Sequence, residues 1–218
     1  LVARVIRSPH ASASFTLGDV QQWQATQPAV SAVLTAKDVP GRNAFGVIPG
    51  FIDQPVFAVS HVRFRGEAIA CVVGSAEAIN AIDLSSFPVD WTVKQALSDI
   101  DEALEPDAPQ LFDDRPGNIM CGGFVQCGDA DAALANADFT VEAVHKTSFV
   151  EHGYIEPEAG FAEVVQGRLH VHACTQAPAM DREALAYILD LPLADIRIVP
   201  TAVGGGFGSK IDLSLQPF

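Results

Sequence analysis

A mixed α/β architecture is predicted by three observations. Short apolar runs with strand-like alternation are interleaved with short segments of helical spacing; 49% of the 218 residues are hydrophobic; and the longest apolar runs, such as residues 68–74, suit a packed core. A chain of this size buries enough surface for one large domain or two small ones. Its 17 Gly and 14 Pro are near average usage, which excludes collagen-like and disordered compositions. A formal net charge of −14 repels phosphate backbones and anionic lipid surfaces, so nucleic acid is excluded as a partner. No apolar run approaches the ~20 residues of a membrane span and no N-terminal signal pattern is present, so a cytoplasmic protein without a membrane partner is expected. The sequence begins without Met inside a strand-like run and stops just after a Gly-rich loop, so both ends are expected to be cut.

In chain order, residues 1–6 and 13–17 read as strands around the Ser8-Pro9-His10 turn. Residues 19–26 read as a short helix capped by Asp19, and 29–35 as a strand stopped by Pro40-Gly41. Residues 54–59, 62–67 and 68–74 read as three strands, the last apolar enough to be central in its sheet. A helix over 75–82 and a strand over 87–93 precede an acidic, Pro-rich connector over 99–118, taken as the domain boundary. Residues 129–137 are expected to be helical, and 139–149 to form a long strand. Residues 160–165 and 168–174 form a hairpin around Gln166-Gly167, followed by a helix over 181–189 and a strand over 196–200. No internal repeat or low-complexity segment is present.

The strongest local signal is Gly204-Gly205-Gly206-Phe207-Gly208-Ser209-Lys210 directly after that last strand. Such a run lets a ligand approach main chain without meeting a Cβ and offers N–H groups to an oxyanion. Ser209 stands where a Walker A loop needs Gly before Lys and where the dinucleotide fingerprint needs a third Gly or Ala, so neither phosphate loop fits. Gln176, at the end of the hairpin, is at a position whose side chain tends to face a site, although an isolated Gln there is usually a surface residue. Residues 151–158, with Glu151, His152, Glu156 and Glu158, are either an acid–base or metal cluster or, more commonly, a solvated turn. His170 and His172 share one face of a strand, a spacing open to metal; with no third ligand nearby in sequence, a solvent-facing pair is expected. Cys71, Cys121, Cys127 and Cys174 form no Cys-x-x-Cys pair and are expected to be free thiols, holding neither an iron–sulfur cluster nor structural zinc.

Together these segments resemble the molybdopterin-binding subunit of the xanthine dehydrogenase and aldehyde oxidase family, along essentially the whole chain. The first half is similar to the family's α/β-hammerhead domain through residues 3–11, 33–41, 53–58 and 62–67. The second half is similar to the start of the cofactor-binding domain through Glu156-Pro157, Thr175-Gln176 and Gly204–Gly208. The resemblance implies a hammerhead domain over residues 1–115, then a partial molybdopterin-binding α+β domain over 116–218, incomplete at its C-terminus.

What it implies for chemistry is a molybdenum-dependent oxidoreductase that hydroxylates an electron-poor carbon of a heterocycle or aldehyde with oxygen from water. The metal would be held by molybdopterin, in its simple or cytosine dinucleotide form, with no direct protein ligand. Partners would be the remaining part of the molybdenum-binding subunit together with 2Fe-2S and FAD domains or subunits. By the same resemblance Gln176 would hydrogen-bond an oxo ligand, Gly205, Gly206, Phe207 and Gly208 would pack against the metal centre, and Phe207 would wall the substrate channel. Two departures matter. Ile211 follows Lys210 where purine-oxidising members carry an acidic residue, which counts against purine specificity, and the family's Glu base lies downstream of this chain. The chain alone is therefore expected to be inactive, and the competing reading is a non-catalytic module that frames a cofactor and packs against iron–sulfur partners.

Overall fold

The computed structural model describes residues 1–211, and the chain divides by contact into two compact units, residues 1–96 with those from 152 onward, and residues 97–151. In the first unit β1 (Val2–Arg7) and β2 (Ala13–Leu17) lead to α1 (Val20–Ala25) and β3 (Val30–Thr35). The two-residue β4 (His61–Val62), β5 (Ala68–Gly74), α2 (Ala76–Ala81) and β6 (Val89–Val93) follow. Two three-stranded sheets result, ordered β1-β5-β3 and β4-β2-β6. As its unbroken apolar run predicts, β5 lies in the middle of its sheet, antiparallel to both neighbours. Ile69 and Val72 of β5 join Ile6, Phe15, Trp23 and Ile79 in one buried core fed by both sheets and both helices. The helix starts are those read from the sequence. Asp19 accepts from Gln22 N at 2.8 Å, and Ser75 accepts from Ala78 N at 3.2 Å.

Two expected strands are absent, for identifiable reasons. Residues 54–59 make only a single bridge, Gln54 to Phe45. The Asn43 side chain occupies both main-chain groups of Phe57, donating to its oxygen at 2.8 Å and accepting from its nitrogen at 3.0 Å, and so replaces a neighbouring strand. Residues 62–67 turn after Val62, because the Glu67 carboxylate accepts from Arg63 N at 2.6 Å and closes the segment on itself. That carboxyl group is buried, and burial pushes its pKa up, partly offset by the Arg63 N–H and the Arg63 charge.

The second unit holds α3 (Ile100–Ala103) and α4 (Ala130–Ala135), capped by Asp99 and Asp129. Asn118 organises the connector, donating to Ala103 O and Pro109 O and accepting from Leu111 N. Residues 139–149 were expected to be a strand and form none. Among the described residues they have no ladder partner, and Phe139 and Phe149 are exposed. Alternation can mark a strand face, but pairing is what makes a strand.

Back in the first unit, β7 (Gly160–Val165) and β8 (Arg168–Ala173) form the expected hairpin. Gln166 and Gly167 have φ of 52° and 78°, as a two-residue turn with primed geometry requires. Then α5 (Pro178–Leu189) crosses over to β9 (Ile196–Pro200), which pairs parallel to β8. The helix begins three residues earlier than 181, because Pro178 presets its own φ and a first-turn residue needs no N–H. Leu185 of α5 packs on Val171, Ala173 and Ile196. At the other end of α5, Gly41 N donates to Ile188 O at 2.9 Å and Arg42 N to Tyr187 O at 2.8 Å. A Cβ on residue 41 would lie 2.1 Å from Tyr187 O, which accounts for the glycine there.

The fully buried Ile69 and the 62% exposed Val93 differ sharply in what they contribute. Ile69→Ala is expected to cost about 2–5 kcal/mol in denaturant unfolding. Val93→Ala is expected to cost under about 1 kcal/mol. Equal losses would contradict a core centred on β5.

Candidate functional site

The site is built where three chain segments meet: the turn before β7, the link between β8 and α5, and the Gly-rich loop after β9. Thr201 N extends the β8 ladder by donating to Ala173 O at 2.9 Å, and the chain then leaves the sheet edge. Gly205, Phe207 and Gly208 have φ of 97°, 52° and 100°. This left-handed backbone suits the two glycines and is uncommon for an aromatic residue.

Gln176, Gly205, Gly206, Phe207 and Gly208, which the sequence singled out separately, come together here. The Gln176 side-chain oxygen accepts from Gly208 N at 3.0 Å and from Lys210 N at 3.3 Å, while Gln176 N donates to Lys210 O at 2.8 Å. Those two N–H donors fix which end of the amide faces the loop. Its Nε2 has no protein partner among the described residues, and the residue is exposed. A Cβ on residue 206 would fall 2.3 Å from that Gln176 oxygen, so the loop is pressed onto the amide at its one buried glycine. The N–H groups of Gly205, Gly206 and Phe207 likewise have no protein partner among the described residues, and Phe207 is 72% exposed. The loop was expected to leave its N–H groups to a guest, yet Gly204 and Gly208 spend theirs on protein side chains.

The residues that sequence reasoning missed are those that hold the loop in place. Lys210 is buried, and its ammonium lies 2.9 Å from both the carboxylate and the main-chain oxygen of Glu156, over the Tyr154 ring at 4.5 Å. Glu156 also accepts from Gly204 N at 2.7 Å. The Lys210 hydrogen bond and then the Gly204 N–H hold the Glu156 carboxyl below the usual carboxylate range. Burying an ammonium without a counter-charge is costly, so this pair ties the loop to the turn around residue 156. Of the other titratable members of 151–158, Glu151 and His152 are exposed and Glu158 is half-buried. Nothing in the local sequence marks Lys210 as a buried ion-pair partner.

Elsewhere on the same sheet, the hairpin register sets Glu163 opposite His170. The His172 Nε2 is 3.2 Å from Glu163 Oε1, and its ring stacks on Phe161 at 4.3 Å. The two histidines were expected to be a pair without a third ligand, but here a carboxylate from the neighbouring strand joins them. All four cysteines are free, with Cys71 and Cys174 buried and Cys121 and Cys127 exposed. No helix among the described residues is long and apolar enough to cross a membrane.

Two family models match this sequence. One, described as the a/b hammerhead domain of aldehyde oxidase and xanthine dehydrogenase, covers residues 1–95. The other, described as a molybdopterin cofactor-binding domain, covers residues 111–217. The chain is 37% identical over 190 residues to a Bacillus subtilis protein named as a probable xanthine dehydrogenase subunit, covering 87% of this chain and 25% of that protein. It is 35% identical over 217 residues to the nicotinate dehydrogenase large molybdopterin subunit of Eubacterium barkeri, covering 99% of this chain and 50% of that one. Among solved structures, aldehyde oxidoreductase from Desulfovibrio gigas matches with a TM-score of 0.80 at 25% identity, covering 95% of this chain and 24% of that chain. The chain thus spans between a quarter and a half of the length of these two curated relatives.

The depressed Glu156 carboxyl has a testable consequence. Its contribution to stability is present above the ordinary carboxylate range and is lost as pH falls through the lowered value. Glu156→Gln is expected to lower the thermal midpoint at neutral pH and to flatten the decline on acidification. A variant whose acid decline parallels that of the parent would mean that the pair contributes nothing.

Proposed function

The chain belongs to the aldehyde oxidase and xanthine dehydrogenase family, in its molybdopterin-binding subunit, and from that premise we propose that it forms part of a molybdenum hydroxylase. Residues 1–115 would be the hammerhead domain and 116–218 the opening portion of the cofactor-binding domain. The reaction proposed for the whole protein is oxidative hydroxylation of an electron-poor carbon of a heterocycle or aldehyde, with oxygen from water and electrons leaving to iron–sulfur clusters. Flavin would sit on a partner domain or subunit, and the protein would act in the cytoplasm.

The observation that carries this reading is the orientation of Gln176. Its oxygen is engaged by Gly208 N and Lys210 N, so what it presents outward is the amide N–H donor. Beside it stand the uncommitted N–H groups of Gly205, Gly206 and Phe207. This is a set of donors without thiolate, imidazole or carboxylate. It suits a metal held by an organic cofactor, whose oxo oxygens accept hydrogen bonds, and does not suit direct coordination by protein.

When bound, the molybdenum cofactor would supply oxygen-atom transfer and accept the electron pair. This chain's own contribution is positional. The Gln176 N–H would stabilise negative charge on a metal-bound acceptor, and the loop N–H groups would add to that field without reorganising. The Glu156–Lys210 pair keeps the loop against Gln176, and the exposed ring of Phe207 offers a flat apolar wall to an aromatic substrate.

Gln176→Glu in the full-length protein keeps the acceptor that holds the loop and replaces the outward donor by an anionic acceptor, which opposes negative charge on a metal-bound group. Turnover is expected to fall on the order of 10²-fold with a smaller change in KM. Unchanged kcat with only a raised KM would move Gln176 to substrate binding. Phe207→Leu is expected to change the preference among ring substrates and aldehydes while molybdenum content, measured by elemental analysis, stays constant. Unaltered preference would remove Phe207 from the substrate channel.

A further inference from the structure

We propose that the β7–β8 hairpin carries a divalent transition-metal site, of the kind that takes Zn²⁺, formed by Glu163, His170 and His172. The side-chain ligand atoms of these three residues all lie within 4.8 Å of one another, and Glu163 Oε1 is already 3.2 Å from His172 Nε2. A tetrahedral zinc ion with bonds of about 2.0–2.2 Å needs its ligand atoms roughly 3.3 Å apart. Closing the triad therefore takes a shift of on the order of 1.5 Å at most, well within the torsional reach of Glu and His side chains.

The backbone that presents the ligands is preset. Alternation along β8 puts His170 and His172 on one face, opposite Val171 and Ala173, which are buried against α5. The ladder pairs Glu163 with His170 directly, so the carboxylate arrives from the adjoining strand with no loop to order. His172 is also held in orientation, its ring stacked on Phe161 with an interplanar angle of 6°. Its side chain is 23% exposed and that of Glu163 50% exposed, so the site is open to an entering ion yet partly desolvated. Two imidazoles and one carboxylate leave a fourth position for water or another ligand, a donor set that suits zinc better than calcium or magnesium.

Two arginines oppose the ion and set its expected affinity. Arg197 is the register partner of His170 in β9, and Arg168 lies two residues before His170 on the same face of β8. Binding is accordingly expected in the micromolar range rather than the nanomolar one, and removing the Arg197 charge is expected to tighten it several-fold.

The test is a zinc titration of the full-length protein by competition with a chromophoric chelator, with the thermal midpoint recorded alongside. The exposed Cys121 and Cys127 are alternative zinc ligands, so the background carries Cys121→Ser and Cys127→Ser. One equivalent of zinc is expected to bind to this background and raise the thermal midpoint. His170→Gln, His172→Gln and Glu163→Gln are each expected to weaken binding by about 10-fold or more, and Arg197→Ala to strengthen it. Without zinc, the variants are expected to remain folded, since none of the three side chains belongs to a buried core cluster. Failure of the parent to bind zinc at up to about 1 mM, or equal zinc affinity in the parent and all three ligand variants, would overturn the site.

Discussion

The ammonium of Lys210 lies out of contact with water and has to find negative charge, and this requirement orders the region around the Gly-rich loop. It is met by one residue, Glu156, through both its carboxylate and its main-chain oxygen. Because Glu156 also receives Gly204 N and Lys210 also engages Gln176 through its main chain, three segments far apart in sequence become one unit. The glycines follow from that arrangement. Residue 204 would drive a Cβ into Glu156, and residue 206 would drive one into Gln176. The loop is thus a packed element fastened at both ends, and only its middle N–H groups are left for other chemistry.

Much of the fold was legible because the signals were local. Residues 13–17 and 196–200 have the bounds that alternation predicts, and Asp19, Ser75 and Asp129 cap helices as short polar side chains do. The elements that were misread depend on distant partners. Nothing near residue 57 indicates that Asn43 will take both of its main-chain groups. Nothing in the alternation at 139–149 indicates whether a ladder partner exists. The site divides in the same way. Gln176 and the Gly-rich loop were recognisable through a family resemblance, whereas the Glu156–Lys210 pair, spanning 54 positions, was not. Glu163 was recoverable in principle, because a two-residue turn at Gln166-Gly167 fixes the register that sets it against His170.

The hairpin and the loop share β8 and its continuation but use opposite kinds of chemistry. The loop faces outward with donors alone, while the hairpin face offers imidazole nitrogens and a carboxylate oxygen. On the two proposals made above, a metal brought in by an organic cofactor and one coordinated directly by protein would meet different surfaces of the same small sheet. The hairpin surface is specified by strand alternation and register, whereas the loop surface is fixed by side chains that reach between segments, Lys210 to Glu156 and Gln176 to Gly208 N.

The contact between Gly41 and α5 links distant parts of this unit mechanically. The helix is 12 residues long, so it spans about 18 Å, and it begins two residues after Gln176. One end of this strut is held by main-chain N–H groups of residues 41 and 42, and the other lies close in sequence to the amide that Gly208 N and Lys210 N hold. The hydrogen-bonded turns of the helix fix the spacing between these two contacts. A Cβ at residue 41 would also meet Asp190 N and Ile188 O, so the loop at Pro40-Gly41 can lie against the last turn of α5 only because it carries no side chain there.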